Sequence, residues 1–349
     1  MRKKNIPLAK VTRPKVTGIF PRERLFRLMD RGRNCPVLWI TSPPGAGKTT
    51  LVSSYIDARK LPCLWYQVDE GDADVATFFY YMGMAAKKAI PDKRKPSLPL
   101  LTPEYRHTIS AFTRKYFELL YSSLKPPFII VFDNYQDVPD NSAFHEMFVQ
   151  CLDIIPEGIN IVVISRTEPP SPLARLCANN KCYHIRWDEI KFNPDEFRQI
   201  IRSKIPEGLP DETITRLYEK TEGWAAGLVL IMEGLKNKDV DYAPLRTITP
   251  GMVFDYFANE VFMKTDKETQ MFLLKTSVLP AMTAPMAEAL TGMGASGHIL
   301  SRMNRNNYFT AARHQPERVY QYHPLFREFL LSRAKDTFTP EEFLAIQKN

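Results

Sequence analysis

Nowhere in the 349 residues do about eighteen apolar positions follow one another, so no membrane-spanning helix is written into the chain. The basic opening MRKKNIPLAK has no apolar segment behind it, which excludes a secretory leader of the usual kind. Cysteine is scarce: Cys35, Cys63, Cys151, Cys177 and Cys182 form no C-x-x-C pair, and no histidine stands at ligand spacing from Cys177 or Cys182. Free thiols in a reducing, cytoplasmic compartment are expected, not disulfides or a metal. Nor does any Ser/His/Asp or Cys/His arrangement stand out as a nucleophilic constellation. Acidic residues are rare at one end only. Residues 1–33 hold eleven Lys and Arg against two Asp and Glu, so the whole of the +8 net charge is a local N-terminal excess. Such a tract reads as a solvated arm over residues 1–18 ahead of a phosphate-binding surface.

What is present is ordinary in bulk and specific in one place. Hydrophobic content is 44% and charged content 25%, and the length suits two or three domains. The specific stretch is LWITSPPGAGKTT, Leu38–Thr50. An apolar strand enters a Pro/Gly turn that leads into a helix. Backbone N–H groups can ring a polyphosphate only where the loop carries no bulky side chains, and Gly45, Ala46 and Gly47 leave that room. Lys48 is placed to reach the β- and γ-phosphates and the Thr49 hydroxyl to hold Mg²⁺. The pattern G-x-x-x-x-G-K-[ST] lacks its first glycine, because Ser42 occupies that position. Serine is small enough to keep the turn.

Downstream, Phe128–Phe132 and Ile159–Ile164 are unbroken apolar runs, as strands buried on both faces of a parallel sheet are. Strands at 37–41, 63–68, 128–132, 159–164 and 182–186 alternate with helices at 48–59, 74–90, 104–124 and 141–155. This predicts a doubly wound α/β domain with a parallel sheet. Asp133 ends one buried run, where Mg²⁺ needs a carboxylate. Asn134 cannot take a proton from attacking water, so hydrolysis is expected to be slow unless Asp137 or Glu70 supplies the base. Arg166 ends the next buried run and is placed to reach the γ-phosphate. After Trp187 helices dominate. Asn193-Pro194-Asp195-Glu196 is a helix start. Tyr308–Thr310 and Val319–His323 are two short β-like runs ahead of a helix at 324–334, the order of a winged helix. His323 lies beside Pro324-Leu325-Phe326; spacing alone gives it no role. Thr339-Pro340-Glu341-Glu342 is a capping box ten residues from the last one, a helix too short to stand alone, which suggests that a helical region continues beyond.

These stretches together resemble the nucleotide-binding module of the signal-transduction ATPases with numerous domains, in particular of MalT-like, LuxR-type bacterial transcription activators. The resemblance rests on FPRERL (Phe20–Leu25), ITSPPGAGKTTL (Ile40–Leu51), WYQVDEGDAD (Trp65–Asp74), IIVFDNYQDV (Ile129–Val138), VVISRTEPP (Val162–Pro170), TEGWAAGL (Thr221–Leu228) and YHPLFREFL (Tyr322–Leu330), in family order. It implies an AAA+/NB-ARC-like P-loop domain (1–190), a helical lid (191–246), a winged helix (247–337) and the start of a further helical region (338–349). It further implies that Phe20 and Arg22 lie by the adenine, Pro44, Gly45, Ala46, Gly47, Lys48, Thr49 and Thr50 hold phosphates, Thr49 and Asp133 hold Mg²⁺, and Arg166 meets the γ-phosphate. His323 would touch the ADP β-phosphate, and Gly223-Trp224 would lie at the lid. The implied behaviour is a regulatory switch. ADP holds a resting monomer, and ATP with an inducer opens it to self-oligomerise. Inducer sensing and a DNA-binding helix-turn-helix would lie outside these residues. The competing reading is an origin-recognition-type AAA+ ATPase whose winged helix grips DNA. Against it, residues 247–349 carry eleven Lys and Arg and ten Asp and Glu, whereas DNA-binding wings are clearly basic.

Overall fold

The computed structural model describes residues 8–90, 97–102, 104–105, 108–205, 209–236, 251–314 and 317–348. Much of the loop expected over 91–103, the end of the expected lid and the Thr249-Pro250 opening lie outside them. By internal contacts the chain forms two units: residues 1–42 with 48–190, and residues 191–349 together with the loop Pro43–Gly47.

The first unit is a five-stranded, all-parallel sheet of β1 (Val37–Thr41), β2 (Cys63–Gln67), β3 (Phe128–Asp133), β4 (Ile159–Ser165) and β5 (Cys182–Ile185), in the order β2-β3-β4-β1-β5. β1, β3 and β4 are buried at every position, which explains their lack of hydrophobic alternation. Parallel neighbours need crossovers, and these run through the helices α2 (Lys48–Ala58), α3 (Val75–Ala89), α4 (Ile109–Ser123), α5 (Phe144–Asp153) and α6 (Ala174–Ala178), while α1 (Glu23–Gly32) precedes β1 and α7 (Trp187–Ile190) follows β5. Successive strand residues face opposite sides, so Trp39, Tyr66, Phe132 and Val163 share one core with Phe78, Phe79, Phe117, Phe144 and Phe148 of α3, α4 and α5. Edge-to-face pairs such as Phe78–Phe144 at 5.0 Å and Phe132–Phe148 at 4.8 Å fix its packing.

Three expectations need correction. The N-terminal tract is not a free solvated arm. Over residues 8–18 it is tied down: Lys10 pairs with Asp69 and with buried Asp72 (2.9 Å), Arg13 pairs with Asp57, Ser53 Oγ donates to the Pro14 carbonyl (2.7 Å), and Val11 is buried. α4 begins at Ile109 and not at 104, and β5 ends at Ile185.

The second unit is helical: α8 (Pro194–Lys204), α9 (Asp211–Thr221), α10 (Ala225–Lys236), α11 (Gly251–Glu260), α12 (Lys267–Thr276), α13 (Ala284–Thr291) and α14 (Ser296–Arg305). It then forms the antiparallel hairpin β6 (Thr310–His314) and β7 (Arg318–Tyr322), α15 (Pro324–Thr337) and α16 (Pro340–Lys348). β7 lies within one residue of the expected run Val319–His323, whereas β6 begins at Thr310, where the expected run Tyr308–Thr310 ends. The expected capping box at Thr339 forms, with Glu342 N donating to Thr339 Oγ1 (3.2 Å), and the expected helix start at Asn193 is a capping box too, with Glu196 N donating to Asn193 Oδ1 (2.7 Å).

Candidate nucleotide site

β1, β3 and β4 are neighbours, so their C-terminal ends bring Thr41, Asp133 and Ser165-Arg166 to one edge of the sheet, the edge where open α/β folds bind ligands. α2 starts at Lys48 immediately beyond. Thr49 Oγ1 stands 3.1 Å from both carboxylate oxygens of Asp133, and the Asn134 N–H donates to Asp133 Oδ1 at 3.0 Å. Asp133 is only 4% exposed, and burial pushes its carboxyl up to about 6, against the pull of these hydrogen bonds. The Lys48 ammonium donates to the Ser42 carbonyl at 2.6 Å. Burial lowers its pKa to about 7, the positive Arg166 adds to the shift, and Asp133 opposes it. So Lys48, Thr49, Asp133 and Arg166, predicted from three separate stretches, do come together. The Arg166 N–H also donates to Gln136 Oε1 (3.0 Å), which ties the end of β4 to the turn after β3. Nothing in the sequence singled out Gln136.

The residues fit a magnesium–polyphosphate ligand. A hydroxyl and a carboxylate are hard oxygen donors, and Mg²⁺ takes few protein ligands, completing its shell with water and phosphate oxygens. Among the described residues no group of three His, Cys, Asp or Glu offers a competing metal site. Ser42 Oγ is a buried polar atom without a hydrogen-bond partner.

The loop needs its glycines. Gly45 and Gly47 sit at φ +71° and +83°, in the left-handed region. A Cβ on Gly45 would come within 2.7 Å of the Ala226 Cβ and 3.1 Å of the Trp224 ring. Trp224 Nε1 donates to the Pro44 carbonyl and Ala226 N to the Gly45 carbonyl, both at 2.9 Å. Ala46 is buried, and Thr50 lies in the first turn of α2.

At the other expected contacts, Arg22 is buried, and its carbonyl accepts from Leu25 and Phe26 to open α1; Phe20 is half-buried. His323 caps α15. Its Nδ1 accepts from the Leu325 N–H (3.3 Å), so Nε2 carries the proton and donates to the Thr221 carbonyl (2.9 Å). Burial holds the ring neutral, with its pKa down to about 4. Its ring lies 6.0 Å from that of Trp224.

Comparison with known proteins bears on the fold. The family model "MalT winged helix domain" matches residues 258–342, and "Nephrocystin 3, N-terminal" matches residues 19–166. HTH-type transcriptional regulators MalT from Klebsiella pneumoniae and from Cronobacter sakazakii are each 28% identical over 333 residues, 94% of this chain. The module is MalT-like. It spans about a third of those relatives' length, 36%. For the fold alone, a solved Walker-type ATPase of Pyrococcus abyssi superposes with TM-score 0.61 at 16% identity, over 91% of this chain and 98% of the other. The MalT-like module is therefore an α/β P-loop ATPase fold followed by helices and a winged helix. No helix among its described residues is long and apolar enough to cross a membrane.

Proposed function

We propose that the MalT-like module is a nucleotide-operated switch within a bacterial, cytoplasmic transcription activator. It binds ADP or ATP with Mg²⁺ at Pro44–Thr50, Asp133 and Arg166, with Phe20 and Arg22 at the adenine end. The observation that carries this reading is the Thr49–Asp133 hydrogen bond beside the half-buried Lys48. The bond from the Lys48 ammonium to the Ser42 carbonyl holds that charge at the loop. Arrival of a phosphate gives the ammonium a dianion in place of a neutral carbonyl, which raises its pKa and fixes the charge. Mg²⁺, when bound, supplies charge neutralisation across the phosphate oxygens. Thr49 and Asp133 orient it, Arg166 answers the terminal phosphate, and loop N–H groups cradle the rest.

Hydrolysis is slow in this reading. Asn134 takes the place where a base would stand, held in a left-handed conformation (φ 61°) and donating its own N–H to Asp133. Asp137 lies near enough to Asp133 to disfavour its ionisation, which makes it the better candidate base than Glu70. ADP marks the closed resting state, and His323 reaches the β-phosphate by exchanging its Thr221 carbonyl for it. ATP with an inducer opens the module for self-assembly. The relatives are named HTH-type regulators. DNA contact belongs to such a helix-turn-helix and not to the near-neutral winged helix.

Purified protein, denatured and chromatographed, is expected to release ADP in near-stoichiometric amount. An empty preparation that also fails to bind added ADP or ATP would sink the switch.

A further inference from the structure

Beside the phosphate loop lies an arrangement that the sequence did not suggest. The hydroxyl of Thr41, last residue of β1, meets His184 Nε2 across from β5. His184 Nδ1 lies 3.3 Å from Glu168 Oε2, and Arg186 Nε lies 3.4 Å from Glu168 Oε1. The carboxylate can only accept, so a ring proton on Nδ1 suits Glu168 and leaves Nε2 to accept. The Thr41 hydroxyl then donates to Nε2. Hydroxyl, imidazole and carboxylate thus stand in the order of a hydrolase triad. Thr41 is only 1% exposed, however, so no substrate reaches its oxygen. The relay does not activate a nucleophile; it holds backbone.

What it holds is informative. Thr41 pairs with Ser165 in the sheet, and the next residue, Ser42, offers the carbonyl that docks the Lys48 ammonium. Glu168 lies two residues beyond Arg166 in the same segment. One imidazole therefore spans β1, β5 and the segment after β4, and fixes the two strand ends that present Lys48 and Arg166.

The geometry points to His184 as a positioning residue for the nucleotide site, acting through the Thr41 hydroxyl and the Glu168 carboxylate. The assignment rests on the nucleotide reading above. It touches neither phosphate nor metal itself, and it differs from a packing role in needing a hydroxyl at 41.

The test compares Thr41→Val, which keeps shape and removes the hydroxyl, with Thr41→Ser, which keeps the hydroxyl, both titrated with a fluorescent ADP analogue in Mg²⁺. Thr41→Val is expected to bind about tenfold more weakly and Thr41→Ser within about twofold of wild type. In wild type, ¹⁵N spectra of the imidazole should show the Nδ1-protonated neutral form at pH 7. His184→Phe should match Thr41→Val in affinity; if it does not fold, the Thr41 pair decides alone. Thr41→Val binding as tightly as wild type, or Thr41→Ser binding as weakly as Thr41→Val, overturns the relay while leaving the nucleotide reading intact. Wild-type protein that binds no nucleotide overturns both.

Discussion

Two buried histidines, His145 and His323, and the half-buried His184 should make the stability of this protein acid-sensitive in a way its overall composition does not announce. His145 accepts from the Tyr135 hydroxyl and lies 3.0 Å from the Pro139 carbonyl, His184 bridges Thr41 and Glu168, and His323 bridges Leu325 and Thr221. Burial lowers the pKa of each, to about 4 for His184 and His323. Between about 6.5 and 4 the unfolded chain binds these protons and the folded one does not, so stability falls as pH falls through that window. Asp133, raised to about 6, works in the opposite direction between 6 and 4, but it is one group against three. Thermal unfolding followed from pH 7 to pH 4.5 should therefore show a falling midpoint. His323→Gln keeps a donor for the Thr221 carbonyl and an acceptor for the Leu325 N–H but cannot titrate. Its midpoint should fall less steeply, and a slope identical to wild type would show that His323 is not the group responsible. At the same scale, Asp133→Asn should leave the ligand-free fold intact, since a buried, partly protonated carboxyl is replaced by an amide. It should abolish Mg²⁺-dependent strengthening of nucleotide binding, measured as the ratio of affinities with and without the metal.

At the scale of elements, the phosphate loop depends on carbonyls as much as on amides. Trp224 Nε1 satisfies the Pro44 carbonyl at 2.9 Å from a fully buried position, stacked on Phe257 at 5.1 Å. Trp224→Phe would keep most of the apolar contact and orphan that carbonyl, a loss on the order of 1–3 kcal/mol in a buried setting. Gly45→Ala would add a strained left-handed residue, about 1–2 kcal/mol, to a Cβ with no room beside Ala226. Both substitutions should lower the unfolding midpoint, and Gly45→Ala should also weaken nucleotide binding because the loop must move. Midpoints within a degree of wild type would mean that the loop is not held this way. How far these elements could be read from sequence follows from where their causes lie. β3 and β4 were plain, because a strand covered on both faces must be apolar throughout. The loop was plain, because Gly45, Gly47 and Lys48 are dictated by local conformation and charge. The docking of Lys10 was not, since its partners Asp69 and Asp72 lie some sixty residues away and no local pattern connects them. The Thr41–His184 pair was hidden for the same reason: only the register of β1 against β5 brings them together.

At the scale of the whole molecule, the remaining question is what the positive charge serves. The +8 of the chain is concentrated in residues 1–33, and two of those charges, Lys10 and Arg13, are spent on carboxylates of the first unit. The winged-helix half is close to neutral, with Arg302 paired to Asp266, Arg327 donating to the Ser277 and Val278 carbonyls, and Lys220 paired to Glu328. A wing that grips a duplex must present cations to phosphates, and each such contact steepens the salt dependence of binding. Fluorescence anisotropy with labelled duplex, from about 50 to 200 mM salt, should show only weak binding of this chain, traceable to Arg2, Lys3 and Lys4 and removed when residues 1–7 are deleted. Tight, steeply salt-dependent binding that survives the deletion would locate the DNA surface in the folded units. It would favour the origin-recognition-type arrangement, in which the same P-loop fold works directly on a duplex, over a switch that acts through a separate DNA-binding region.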